Sequence, residues 1–385
     1  MFDSATLPKI REEIQNCTLA QKKLLDDLRG EVTSLKDQVK TIKSRTATSI
    51  SLVASDGGNN KLTFDPFNVQ LVRVIDSFGK QMFLQAVSPV TDTDDLSSQQ
   101  FDSKGDPKTP LGWLMQDLGV STLSELSYMI PSGRKIREHP QRVSNSWVQT
   151  FRDLSEWAVL YEMICHKEFA TDTLLVRDGL LRSNLFHGGL FIRMAEKITD
   201  SINRIKKEDR RNIYLVGLAK HSKVIERYGL AIALENILPA GEARYVRIPR
   251  KMEAEAYRWQ EWAEGQEEAE EKGGSPKFNV GNMYFVRFGP NLGDTVWPVD
   301  ILYSQTNDCE KIFSYLLADA QNGFPIPYYP QCLQKADKFA QVVDLDLDVL
   351  QDEVLKAVSS IVEPNRSSRL DNYLFTQDFT GRRYQ

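Results

Sequence analysis

Apolar positions along this chain follow two periods. Short continuous apolar and β-branched runs mark buried strands at Thr48–Ser55, Asn68–Ile75, Leu174–Val176 and Asn212–Ala219. Two further runs, Tyr284–Phe288 and Val296–Leu302, flank Gly289-Pro290-Asn291-Leu292-Gly293 and read as a hairpin. Between the first two strands, Gly57-Gly58-Asn59-Asn60 supplies a turn. Elsewhere the apolar positions step by three and four. Trp147, Phe151, Leu154, Ala158, Tyr161 and Cys165 share one face of a helix over Trp147–Lys167. Helices are also expected over Leu190–Ile205, Cys309–Ala320, Gln331–Val342 and Leu345–Ile361, and over Leu111–Met129 with a break at Leu118-Gly119.

Residues 1–46 read as a further helix, in which Leu25, Leu28, Val32, Leu35, Val39 and Ile42 form the narrow seam of a short coiled coil. Such a seam suits self-association, a partner contact, or packing on the chain's own domain. Thr91–Thr109 is polar and acidic and reads as a surface loop, part of an insertion over about 88–145. Glu253–Lys272 carries eight glutamates and reads as a solvated helix, broken by Gly273-Gly274-Ser275-Pro276; the glutamate-rich segment covers 253–277. Residues 363–385 form a polar tail. The mixture of strands and helices predicts an α/β domain over 47–362, with helices covering a mixed sheet.

The 385 residues suffice to bury a sizeable core. No run of eighteen apolar residues is present, so no membrane span is expected, and Met1-Phe2-Asp3-Ser4 has no secretion-signal pattern. Cys17, Cys165, Cys309 and Cys332 lack CxxC spacing, which favours reduced thiols in a cytoplasmic protein over a zinc site. A net charge of −5 argues against a nonspecific nucleic-acid coat, though not against an enzyme with a local basic groove. The sequence has no Walker A loop, and His139, His166, His187 and His221 show no metal-ligand spacing.

The chemistry begins with two strand ends. Thr48–Ser55 runs into Asp56-Gly57, and Thr173–Arg177 runs into Asp178-Gly179. A strand that delivers a carboxylate at its end, followed by a glycine, is a common way to build a metal site; Asp-Gly is also a frequent turn dipeptide. Two such ends on adjacent strands suit phosphodiester hydrolysis.

These features also resemble a family. An Asp-Gly after the first strand precedes a helix with glutamate, and then Leu174-Leu175-Val176-Arg177-Asp178-Gly179. Val216-Gly217 leading to Lys220 and Ser222, and Gly323-Phe324-Pro325-Ile326-Pro327-Tyr328 followed by Ala336-Asp337, complete the order of motifs seen in the NurA nucleases. The resemblance runs from about Thr48 to Val342. It implies a ribonuclease-H-like mixed sheet flanked by helices, manganese or magnesium as cofactor (two ions), DNA as substrate, a HerA-like hexameric ATPase as partner, and a homodimer. It assigns metal-binding roles to Asp56, Asp178, Glu156 and Asp337, and site roles to Lys220 and Tyr328. The family's Asp-Gly-Ser is Asp56-Gly57-Gly58 here, and its Ala-His is Ala336-Asp337, which keeps an oxygen ligand but removes a neutral proton carrier. Glu162 rivals Glu156, standing about 240° further round the helix, so only one of them faces the site.

Three readings of function follow. One is a metal-dependent DNA nuclease fed by a translocase, in end resection or anti-phage defence. Another is a non-catalytic scaffold that uses the N-terminal seam, the glutamate-rich segment and the tail. A hydrolase acting on RNA or a small phosphoester is a third.

Overall fold

In the computed structural model, residues 6–45, 50–64, 67–257, 278–341 and 344–361 are described. The distal part of the glutamate-rich segment and the tail lie outside them.

The framework is a nine-stranded mixed sheet in the order β1-β7-β8-β9-β6-β5-β2-β3-β4. Its strands are β1 (Lys40–Thr41), β2 (Ser51–Phe64), β3 (Phe67–Asp76), β4 (Gln81–Val87), β5 (Thr173–Asp178), β6 (Ile213–Leu218), β7 (Arg244–Arg247), β8 (Gly281–Arg287) and β9 (Val296–Leu302). At the centre β2, β5 and β6 are parallel, while β3 and β4 continue antiparallel on one side and β9, β8, β7 and β1 on the other. The mixed sheet expected from the alternation of strands and helices is therefore present.

Helices cover both faces. They are α1 (Thr6–Ala20), α2 (Lys22–Thr33), α3 (Thr93–Ser98), α4 (Pro110–Leu118), α5 (Leu123–Leu126), α6 (Gly133–Glu138), α7 (Ser146–Cys165), α8 (Leu190–Glu208), α9 (Lys223–Leu234), α10 (Arg250–Ala256), α11 (Cys309–Ala320), α12 (Gln331–Ala340) and α13 (Asp344–Ile361). Alternation along each strand divides its side chains between the two faces. Leu175 and Leu215 join Trp157, Phe151 and Phe191 of α7 and α8, whereas Leu174, Val176, Tyr214 and Val216 join Phe313, Leu316 and Leu333 of α11 and α12. Helix α7 is buried almost all round, and each large side chain withdrawn from water there contributes about 1.5–3 kcal/mol.

Several expectations change. Gly57-Gly58-Asn59-Asn60 is not a turn: β2 runs straight through it, with Asp56 opposite Ile75 and Gly58 opposite Arg73 of β3. Asp56 nevertheless stands where β2 leaves its parallel neighbour, because pairing with β5 ends at Ser55 opposite Arg177. The polar Thr91–Thr109 stretch contains α3, capped by the Asp92 carboxylate accepting from Asp94 N, with Leu96 and Ser97 buried beneath it. The N-terminal segment is two helices and a short strand. Leu28, Val32 and Leu35 of its seam pack on Val224, Tyr228 and Ala231 of α9 in the same chain, while α1 has no buried residue. Glu253, read as solvated, is 1% exposed and lies 2.7 Å from the buried Arg182, itself bound to Asp300 at 2.8 Å. A lone Glu253 carboxylate could not be buried at this cost, but the arginine compensates it.

Candidate metal centre

Ala54 and Val176, and beyond them Asp56 and Asp178, alternate onto the α12 face of the sheet. Helix α12 lies over β2 with Leu333 and Ala336 inward, and Asp337 on the flank nearer β5. Asp56, Asp178 and Asp337 thus converge, each offering a carboxylate oxygen within 4.8 Å of the others. Lys220, two residues beyond β6, places Nζ 3.2 Å from Asp178 Oδ2 and 3.4 Å from Asp337 Oδ1.

Electrostatics reflect the crowding. Burial, then the charges of Asp178 and Asp337, pushes Asp56 up to about 6, although Gly57 N–H donates to its Oδ1 at 2.8 Å and Lys220 lies near. Burial pulls the Lys220 ammonium down, but Asp178, Asp337 and Asp56 outweigh it and leave it raised.

Glu156 is not one of the converging carboxylates. It rises from α7 toward the opposite face, where Arg177 also points, and its Oε1 occupies the position that a Cβ on Gly57 would take. Arg152 Nε lies 3.3 Å from Oε1 and Arg177 NH2 3.6 Å from Oε2. Burial pushes Glu156 up to about 8 against the pull of these arginines. Arg177 is fixed in turn, stacked over Trp157 at 4.4 Å and donating to Leu180 O. The rival Glu162 turns away to Lys167 at 3.0 Å.

Of the two adjacent tyrosines, Tyr329 addresses the cluster. It is 1% exposed, its ring lies 6.0 Å from Lys220 Nζ, and its hydroxyl has no hydrogen-bond partner among the described residues. Burial and the nearby Asp178, Cys332, Asp56 and Asp337 hold its phenol well above the ordinary range. Tyr328 is half-buried with φ 54°, its carbonyl accepting from Trp297 Nε1 at 3.2 Å. Sequence reasoning missed Tyr329, Arg152 and Arg177. The Tyr-Tyr pair is a cue to the first, but only the backbone path decides which ring turns inward.

Three carboxylates whose oxygens lie within 4.8 Å of one another are hard oxygen donors, the set that suits magnesium or manganese. The buried Tyr329 hydroxyl beside them, without a hydrogen-bond partner among the described residues, is able to meet a polar ligand there.

Together these features define a carboxylate-lined candidate metal centre on a mixed α/β sheet. No protein-family model matches the sequence, and no curated protein matches it either. Among solved structures, the chain is similar in fold to the NurA nuclease from Sulfolobus solfataricus, at 12% identity over 94% of this chain and 99% of that one, with a TM-score of 0.46. A NurA structure with manganese aligns at 12% identity over 92% of this chain and 100% of that one, with a TM-score of 0.37. A NurA structure bound to dAMP and manganese aligns at 12% over 92% and 98%, again with a TM-score of 0.37.

Proposed function

We propose that this chain is a divalent-metal-dependent nuclease that hydrolyses phosphodiester bonds of DNA. The observation that carries the reading is the convergence of Asp56, Asp178 and Asp337 beside the unpartnered Tyr329 hydroxyl. The order of NurA-like motifs along the sequence supports it. Asp56, Asp178 and Asp337 would hold manganese or magnesium, two ions in the fullest form of the site. Such ions lower the pKa of an attacking water and stabilise the departing oxygen.

The chain's own groups do the rest. Lys220 is aimed between two of the carboxylates and offsets the charge that gathers on the phosphoryl oxygens. Tyr329 donates its free O–H to a phosphate or water oxygen. Glu156, with Arg152 and Arg177, braces the strand ends from behind the sheet.

The acidic chain has little electrostatic hold on DNA at physiological salt, so a HerA-like hexameric ATPase that feeds the strand is the partner this reading includes. A homodimer belongs to the same reading, in end resection or anti-phage defence.

The test is purified protein on end-labelled linear DNA with manganese, with and without EDTA, beside Asp56→Asn and Asp178→Asn. Cleavage sensitive to EDTA and lost in both variants is the expected result. Silence of the folded wild type, alone and bound to the cognate ATPase, would overturn it in favour of a scaffold.

A further inference from the structure

Helix α12 carries Asp337, and the Gly323–Pro330 loop is tied to the same helix at Gln331 and Gln334, six and three residues before it. The loop is pinned. Phe324 N donates to Gln331 Oε1 at 2.9 Å, and Ile326 N to Gln334 Oε1 at 2.9 Å. Gln334 Nε2 returns bonds to the carbonyls of Ile326 and Tyr329, both at 2.9 Å. Gln334 is one helical turn from Asp337, and Tyr329 ends the loop inside the cluster. A rigid shelf therefore runs from Phe324 to Tyr329, and its Tyr329 end stands beside the carboxylates.

On that shelf Phe324 is 78% exposed and Ile326 43%. A pinned backbone that holds a phenyl ring in water gains nothing for the folded chain; it is preorganised for an apolar flat ligand. Charge selects the kind of ligand. Lys335 and Lys338 are exposed on the outer face of α12, and Lys220 stands at the cluster. An anionic backbone with flat bases matches both features. A neutral or acidic chain cannot bind such a strand by charge alone, so ring stacking supplies what electrostatics does not.

We propose that Phe324, supported by Ile326, is a stacking platform for a nucleobase of the strand whose phosphodiester is held at Asp56, Asp178 and Asp337. The platform selects strands whose bases are unpaired at that point, since a base within a duplex has no free face to offer. This inference rests on the nuclease reading and deepens it.

The test is binding of a single-stranded oligonucleotide containing 2-aminopurine, with calcium replacing manganese to hold cleavage back. The wild type is expected to change the probe's fluorescence on binding. Phe324→Ala is expected to weaken binding roughly tenfold, the scale of one lost base stack. Phe324→Tyr restores it, Ile326→Ala gives a smaller loss, and manganese affinity is unchanged in all three. Wild-type binding in Phe324→Ala overturns the proposal, as does parallel loss of manganese affinity, which would make the ring structural. So does retained oligonucleotide binding with loss of a protein partner. The two readings separate cleanly: Phe324-dependent binding without any cleavage sinks the nuclease and keeps the platform. Cleavage lost in Asp56→Asn but untouched in Phe324→Ala does the reverse.

Discussion

The carboxylate of Glu156 fills the space that any side chain at position 57 would need. The glycine of the first Asp-Gly is thus a clearance for a helix residue behind the sheet, not a turn. Gly57→Ala is expected to destabilise the fold by about 1–3 kcal/mol, because Glu156 is confined by Arg152 and Arg177 and cannot simply move aside. Pairing it with Glu156→Ala should recover part of the loss. Urea midpoints of the four proteins in that cycle measure the coupling; additive effects would contradict the clash.

Glu156→Gln separates bracing from ligation. With the side chain outside the carboxylate group, manganese affinity should stay within about threefold of wild type, whereas Asp178→Asn should lose about a hundredfold or more. Titration calorimetry with manganese decides it. An equal collapse in both variants would mean that Glu156 joins the ion.

Asp56 makes the site depend on pH. Its folded pKa of about 6 lies above the ordinary 3.8, so the metal-free folded protein holds this proton more tightly than the unfolded chain. Its contribution to stability is full below about 4 and is lost as pH rises through about 6, on the order of 3 kcal/mol at most. Metal binding shows the opposite trend, tightening with pH and levelling off above about 6. Melting curves and manganese titrations of wild type and Asp56→Asn across pH 4–8 should show both trends in the wild type, while the variant loses the share due to Asp56 and keeps the stability slope of Glu156, whose pKa is also raised.

Tyr329→Phe removes a hydroxyl that has no partner among the described residues. Stability should hold or rise slightly, since no internal hydrogen bond is lost. Turnover should fall by about tenfold if the O–H serves a bound oxygen. A drop in melting temperature with unchanged turnover would assign the hydroxyl to the fold instead.

Val32→Ala tests the N-terminal seam. Val32 is fully buried against α9, so the truncation should cost about 1–3 kcal/mol in the monomer, independently of protein concentration. A cost that appears only at association-competent concentrations would point to a seam shared between copies.

Much of this architecture was legible in the residues. The apolar runs at Leu174–Val176 and Asn212–Ala219 are buried on both faces and so could only be central strands. The helix at Trp147–Lys167 was equally plain. Other strands were not: β1 and β7 span only two and four residues, and the mixed polarity of β4 reflects its place at the edge of the sheet. Gly57-Gly58 misled because glycine marks a turn and a close approach alike, and only the helix behind the strand tells them apart. Helix α3 hid in an acidic stretch because two of its three buried residues, Thr93 and Ser97, are polar and leave only Leu96 as an apolar signal. At the site, Asp56, Asp178 and Asp337 were named from motifs. The inward arginines had no signal, since nothing local says which arginine loses its water.

Lys220 stands 3.2 and 3.4 Å from two of three clustered carboxylates. In effect the chain carries a tethered counter-ion. The three anions are spared part of their mutual repulsion, which helps the carboxylates stay gathered. An arriving cation must compete with a resident one, so neutralising this lysine should make the first ion bind more tightly even as it slows the reaction.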